Sequence, residues 1–430
     1  MIDLRHGNCL EILKNIDSNS VDLILTDPPY HLTSITKRFG KKGSAPASTK
    51  NNDGSFSRLS KGFMGKEWDG LDENGVGIAF NVEVWKEAYR VLKPGGYCMA
   101  FSGSRTYHRM AVAIEDAGFE IKDMIEWVYG SGFPKALDIS KAIDKKLGAE
   151  REVVGQKLQH NIKNKELFQG KGEFITLDIT APSSDIAKQY EGYKTQLKPA
   201  HEPICLAMKP LSEKTFAEYV MRWGTGGLNI DGTRVELNGE KQPTGSGDRT
   251  KGMFGSAKEK QPYKNITPVD GRYPANLIIH KDVAPVLDEQ SGILKSGGGN
   301  KNSKNPNKCL YRVGGVSTKT NWESNAGGAS RFFYNAKIEE EDYIPFKYTA
   351  KASKKERNTD INGDVVLNNN HATVKPISIM EYLAKLGLPP YNAVVLDMFA
   401  GSGSTGMAIE KINKETVSDN KTILIEIEKQ

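Results

Sequence analysis

An α/β fold built on a mostly parallel sheet is what the sequence predicts, and three observations predict it. Apolar runs of strand length recur, among them Val21-Asp22-Leu23-Ile24-Leu25, Tyr97-Cys98-Met99-Ala100-Phe101 and Ala393-Val394-Val395-Leu396-Asp397. Segments with apolar residues at helical spacing lie between them, the alternation that gives parallel strands joined by helical crossovers. Chemistry-bearing residues then stand where two of the runs stop, at Thr26-Asp27-Pro28-Pro29-Tyr30 and at Gly401-Ser402-Gly403-Ser404-Thr405. The carboxyl ends of strands are where open α/β sheets bind ligands.

Taken in order, Ile2-Asp3-Leu4 reads as a short strand, Gly7-Asn8 as a turn and Cys9–Leu13 as a helix. The strand from Val21 leads to Asp27. A helix over 81–92 is predicted to stop at Lys93-Pro94-Gly95-Gly96, before the strand 97–101. A helix over 105–117, closed by Gly118, precedes a strand over 119–129. Residues 150–195 are polar and read as an irregular insertion, after which Ile204 to Met208 resumes as a strand. Residues 211–370 lose the alternation and become rich in Gly, Asn, Lys and turns. The rhythm returns with a helix from Ile377 to Leu386, the strand 393–397, a helix through Lys411 and a last strand from Ile423 to Glu426. The expected organisation is therefore 1–148, an insertion at 149–195, a returning strand at 196–210, a region of different character at 211–370, and a closing part at 371–430.

The stretch after Leu25 has a specific chemical shape. Asp27 projects a carboxylate at a strand end, Pro28 and Pro29 hold the backbone extended and leave carbonyls with no local N–H partner, and Tyr30 adds a flat aromatic face. A carboxylate, a carbonyl and a stacking ring suit an amino group on a planar heterocycle. The competing reading is a strand followed by a Pro-Pro turn.

Asp27-Pro28-Pro29-Tyr30, followed far downstream by Asp397-Met398-Phe399-Ala400-Gly401-Ser402-Gly403, resembles the amino-directed DNA methyltransferases, in the permuted motif order of their β group. Trp223–Asp231 and Gly271–Ile278 resemble segments of phage-type members. The resemblance implies a Rossmann-like class I methyltransferase fold, circularly permuted, with target recognition inserted at 211–370. It implies S-adenosylmethionine as cofactor and adenine N6 as acceptor. It places Asp27, Pro28, Pro29 and Tyr30 at the chemistry, and Asn8, Thr373, Lys375, Asp397, Phe399, Gly401, Gly403, Thr405 and Glu426 around the cofactor, with no metal. Within that set Lys375, in His371-Ala372-Thr373-Val374-Lys375-Pro376, is expected to meet the cofactor's carboxylate, and Asn8 stands where the family often has Asp. The implied partner is double-stranded DNA with a flipped target base; a restriction endonuclease and a second copy of the chain are further expected partners.

Alternatives remain at this stage. Gly401-Ser402-Gly403-Ser404-Thr405-Gly406 also fits a dinucleotide fingerprint, but a dinucleotide fold needs several βα units after that turn and one strand remains. Cytosine N4 transfer uses the same scaffold, though the family more often has Ser in place of Asp there. A non-catalytic DNA-binding relative and an RNA or protein methyltransferase complete the field. Cytosine C5 chemistry needs a nucleophilic cysteine, typically after proline, and none of Cys9, Cys98, Cys205 and Cys309 follows one.

Composition agrees with a soluble enzyme of two or three domains: 430 residues, 38% of them hydrophobic. No run approaches the roughly 18 apolar residues of a membrane span, and the N-terminal residues lack a signal pattern, so the expected location is the cytoplasm. The four cysteines are far apart, against zinc or a disulfide framework. Net charge is only +6, but eight basic residues face one acid between Lys37 and Lys66, and again between Lys295 and Lys337. Such Gly-, Ser- and Asn-rich basic stretches suit phosphate neutralisation, with plain solvated loops as the competing reading. Trp68 is a candidate for base stacking, with anchoring of the long loop as the competing reading; His201 and Glu202 are catalytic candidates by residue type, with positioning of the strand and a DNA-side loop as the competing reading.

Overall fold

The computed structural model describes residues 1–31, 76–130, 136–160, 174–210, 212–237, 271–296, 325–336 and 374–427. Two compact units emerge; the first holds Met1–Tyr129, His201–Glu339 and Lys351–Gln430, the second Gly130–Ala200.

The first unit is organised by strands β1 (Ile2–His6), β2 (Val21–Thr26), β3 (Leu92–Phe101), β4 (Glu120–Val128), β7 (His201–Met208), β8 (Leu277–His280), β11 (Tyr334–Ala336), β12 (Val394–Asp397) and β13 (Lys421–Glu426). They form one nine-stranded sheet in the order β1-β13-β12-β2-β3-β7-β4-β8-β11. Every pairing is parallel except those of β7, which runs against both β3 and β4. This is the Rossmann-like arrangement the alternation predicts. Strands from the end of the chain, β12 and β13, lie between β1 and β2, so the sheet carries the permuted order in space as well as in sequence. A separate antiparallel pair, β9 (Leu294–Ser296) with β10 (Asn325–Gly327), stands outside the main sheet.

The central strands are buried on both faces, as a parallel sheet under helices requires. All six residues of β2 are buried, Asp22 included. That carboxylate is accommodated because Lys93 Nζ (2.6 Å), Tyr391 Oη (2.9 Å) and the Val394 amide (2.8 Å) all donate to it. Helices α1 (Cys9–Leu13), α2 (Val82–Val91) and α3 (Tyr107–Asp116) supply much of the main core, with Leu13, Trp85 and Ile114 fully buried. The Asn81 side chain caps α2 by accepting from the Glu83 amide at 3.0 Å. Helices α6 (Phe216–Trp223), α7 (Val283–Ser291), α8 (Ile377–Gly387) and α9 (Ser404–Thr416) complete the unit.

Two expectations are corrected here. The Lys93-Pro94-Gly95-Gly96 segment does not separate α2 from its strand: β3 starts at Leu92, the last residue of the expected helix, and runs through the segment. The glycines answer to packing. Gly95 has φ +64 and a Cβ there would lie 2.1 Å from the Tyr219 ring, while one on Gly96 would lie 2.9 Å from the Asp22 carbonyl oxygen. The second correction concerns 211–370, which contributes β8 and β11 to the main sheet. Strands of four and three residues leave too short a pattern to register within a Gly- and Asn-rich stretch.

The second unit contains helices α4 (Ile139–Leu147) and α5 (Asp185–Gln189) and an antiparallel pair, β5 (Val153–His160) with β6 (Phe174–Thr180). Within the segment expected to be irregular, the described residues thus carry two paired strands and a helix, and α4, expected on the catalytic side of residue 148, belongs to this unit. Its anchor is Asp144, whose two oxygens accept from Arg151 Nη1 (2.6 Å), Ser184 Oγ (2.6 Å) and the Ser183 and Ser184 amides (3.0 Å each). Those bonds, led by that from Ser184, hold its carboxyl well below the usual range.

Candidate active site

The two sequence motifs meet at the carboxyl ends of adjacent strands. Thr26, the last residue of β2, donates its hydroxyl to Asp397 Oδ1 of β12 at 2.7 Å, across 371 positions of sequence. Asp397 Oδ2 accepts from Thr405 Oγ1 at 2.5 Å and Oδ1 also from the Phe399 amide at 3.1 Å. The carboxyl is buried, and burial pushes it up to about 6 although the bonds from Thr405, Thr26 and Phe399 oppose that shift. Asp397 therefore fastens β2, β12 and the start of α9 to one another.

Between β12 and α9 the backbone passes through the left-handed region twice, at Gly401 (φ 52) and Gly403 (φ 81). Glu426, at the end of β13, accepts from the Gly401 amide through Oε2 at 2.7 Å, and its carbonyl accepts from the Gly7 amide at 2.9 Å. Gly406 lies where a Cβ would come within 3.0 Å of Leu424, so the third glycine of the run allows close approach of α9 to β13. Asn8, next to Gly7, spends Oδ1 on capping α1 through the Leu10 amide at 2.9 Å. Its amide group is what remains for a ligand.

Beyond β2 the chain turns through Asp27, Pro28, Pro29 and Tyr30 into His31, a residue with φ 44 whose buried ring packs edge-on against Phe80. The Tyr30 carbonyl accepts from Thr106 Oγ1 at 2.9 Å, which ties this turn to the start of α3. Lys375 reaches the same place from the segment before α8 and is only 2% exposed. Its ammonium lies 2.5 Å from Asp27 Oδ2, 3.0 Å from Tyr30 Oη and 3.4 Å from Glu202 Oε2. The rings of Tyr30 and Phe101 lie 5.1 and 4.8 Å away. Burial alone would lower the lysine, but the Asp27 and Glu202 charges outweigh it and hold it raised. Tyr30 Oη donates to Glu202 Oε2 at 2.7 Å. Burial, with the charges of Asp27 and Glu202, pushes that phenol well above its ordinary range. Asp27 Oδ1 is buried and has no hydrogen-bond partner among the described residues.

The structure thus gathers Asp27, Tyr30 and Lys375 at one point, and Asp397, Gly401, Gly403, Thr405 and Glu426 at a second point joined to it by the Thr26–Asp397 bond. Two of these side chains are engaged by the protein itself. Lys375 directs its ammonium at Asp27, Tyr30 and Glu202. Asp397 directs both oxygens at neighbouring protein donors. Glu202, a catalytic candidate by residue type with strand positioning as the competing reading, is 6% exposed and joins the cluster directly. The signal for it was an acid placed inside a strand that is otherwise apolar. His201 is set apart, its side chain 44% exposed with Nε2 3.5 Å from Glu126. Thr373, Trp68 and the lysines at 301, 304 and 308 lie outside the described residues, as does Cys309. No described helix is long and apolar enough to cross a membrane.

The chain is similar to known methyltransferases over part of its length. The type II methyltransferase M.HpaI of Haemophilus parainfluenzae is 29% identical over 142 residues, covering 32% of this chain and 35% of that protein. The type II methyltransferase M.HindIII of Haemophilus influenzae is 32% identical over 139 residues, covering 30% of this chain and 43% of that protein. The match therefore spans less than half the length of these relatives. Among solved structures, PvuII DNA methyltransferase (cytosine-N4-specific) aligns over 99% of this chain and 82% of its own at 12% identity, with a TM-score of 0.39. At that score the fold rests on the sheet described above. The N6/N4 methyltransferase family model, described as DNA methylase, matches residues 21–430, and the chain belongs to that family.

Proposed function

We propose that this chain is a site-specific DNA methyltransferase that uses S-adenosylmethionine to methylate the exocyclic N6 of adenine. The observation that carries the reading is the joining of the two motifs at the ends of β2 and β12, with the Asp27 Oδ1 buried beside them and without a partner among the described residues. The residues fit such a cofactor. Left-handed Gly401 and Gly403 admit a ligand close to the backbone, and the Glu426 carboxylate at the end of the next strand suits ribose hydroxyls. The Phe399 ring and the Asn8 amide suit an adenine. When bound, the cofactor supplies an electrophilic methyl group.

The chain's part is to ready the amine and align it. An exocyclic amine is a weak nucleophile because its lone pair delocalises into the ring. Accepting one N–H at Asp27 Oδ1 and the other at the Pro28 carbonyl draws the nitrogen towards tetrahedral geometry and localises that pair. The Pro28-Pro29 backbone fixes the carbonyl, and the Tyr30 ring offers the flipped base a stacking face worth about 1–3 kcal/mol. Alignment of two held reactants supplies much of the rate. The choice of adenine follows from Asp27, since the resembled N4 enzymes more often carry Ser at that place.

The test is to incubate DNA with the protein and S-adenosylmethionine and to sequence it with a readout that separates N6-methyladenine from N4-methylcytosine. Methyladenine at one recurrent short site is the expected result. Methylcytosine would overturn the base assignment, and unmodified DNA would overturn the activity.

A further inference from the structure

We infer that Lys375 is a positioning residue for the target amine, and that with Glu202 it forms a fixed support that leaves one Asp27 oxygen as the acceptor. The inference rests on the reading of Asp27 given above. It begins with the geometry of one buried ammonium. A lysine has three donors, and here three oxygens from three separate segments lie within 3.4 Å of Nζ: Asp27 Oδ2 after β2, Tyr30 Oη four residues into the turn, and Glu202 Oε2 on β7. The aromatic rings of Tyr30 and Phe101 stand beside the same ammonium. An ammonium so placed has little freedom to leave.

The consequence falls on Asp27. Of its two oxygens, Oδ2 is held by Lys375 at 2.5 Å and Oδ1 is buried without a partner among the described residues. A free carboxylate rotates about its last bond and presents either oxygen; this one is pinned through Oδ2, so Oδ1 has a fixed direction. A buried acceptor without a donor is unfavourable, and an arriving N–H removes that cost. The ammonium also lies between two carboxylates, Asp27 and Glu202, and offsets the repulsion between their charges. Protonated Asp27 would lose its strength as an acceptor.

Glu202 contributes from the far side. It accepts from Tyr30 Oη at 2.7 Å and pairs with Lys375, so the phenol and the ammonium are held on one carboxylate oxygen. The groups that face Asp27 among the described residues are Lys375 from before α8, Glu202 from β7, the Tyr30 hydroxyl from the turn and Asp397 from β12. The last adds a like charge, felt at Asp397 as an upward push from Asp27.

Single-turnover methyl transfer at saturating S-adenosylmethionine, followed across pH in the full chain, tests this. In Lys375→Met the acid limb of the rate should move up by roughly one pH unit or more, with recovery towards the wild-type rate at high pH and unaltered cofactor affinity. In Glu202→Gln, which keeps an acceptor for Tyr30 and removes a negative charge, the limb should move down. That variant decides the matter if Lys375→Met fails to fold. A rate lowered evenly at every pH, with the limb in place, would make the support merely structural and overturn the inference. Weakened cofactor binding in Lys375→Met with an unmoved limb would also overturn it, returning the ammonium to the cofactor. Asp27→Ala, run alongside, separates the two levels: retained transfer there defeats the reading of Asp27 itself, whereas lost transfer with unmoved limbs defeats only the role of Lys375.

Discussion

Two aspartates, Asp397 buried and Asp27 partly buried, stand at the ends of neighbouring strands, and their surroundings differ. Asp397 on β12 receives a donor at each oxygen from its own protein: Thr26 and Phe399 at Oδ1, Thr405 at Oδ2. Asp27, just beyond β2, receives one donor at Oδ2 and none at Oδ1 among the described residues. Satisfied hydrogen bonding is what a structural carboxylate needs, and an orphaned oxygen is what a site keeps for a substrate. The residue type alone therefore says little; the count of donors around it separates the joint from the carboxylate proposed to take the substrate.

The largest break in that comparison comes from removing the orphaned acceptor. Asp27→Ala should lower single-turnover methyl transfer by several orders of magnitude, because its hydrogen bond strengthens as the nitrogen becomes tetrahedral. Gly403→Val should abolish binding of S-adenosylmethionine, measured by calorimetry, while the protein remains folded. A Cβ there meets only Leu424, at 3.9 Å, so packing is spared, and the penalty of about 1–3 kcal/mol comes from a branched residue at φ 81.

Asp397→Asn sharpens the contrast from the structural side. The Asp397 carboxyl is raised from 3.8 to about 6 in the folded chain, so its contribution to stability is fully present below 3.8 and lost as pH rises through 6. Relative to the Asn variant, the wild type should lose about 3 kcal/mol of unfolding free energy across that window, read from denaturant melts at a series of pH values. A flat difference would mean that the carboxyl titrates normally. The smallest effect is expected for Tyr30→Phe, which keeps the ring and removes the hydroxyl that bridges Glu202 and Lys375. Transfer should fall by about 1 kcal/mol, roughly fivefold, with capture of the flipped base intact.

What the sequence revealed of this site divides along the same line. The strand to Asp27 and the glycine turn were readable because each is a local pattern: an apolar run ending in an acid, and glycines at fixed offsets. The alternation before residue 130 and after 371 gave the parallel sheet for the same reason. The contact of Lys375 with Asp27 spans 348 positions and leaves no local trace, so the lysine was assigned to the cofactor side. Glu202 was visible as an acid in an apolar strand, but its partner Tyr30 is 172 positions away. Gly95 and Gly96 looked like a helix stop because the Tyr219 ring that demands them comes from α6. Local rules read what neighbours in sequence determine; pairing across the sheet determined the rest.

The central claim is that acceptor chemistry at the end of β2 and cofactor binding at the end of β12 are separable functions of one joined site. The direct measurement is a paired one on Asp27→Ala and Gly403→Val: the affinity for S-adenosylmethionine by calorimetry, and the single-turnover transfer rate at the highest attainable cofactor concentration. The account predicts that Asp27→Ala keeps wild-type affinity and loses the rate, while Gly403→Val loses the affinity. Near-normal transfer by Asp27→Ala, or an equal loss of affinity in both variants, would contradict it.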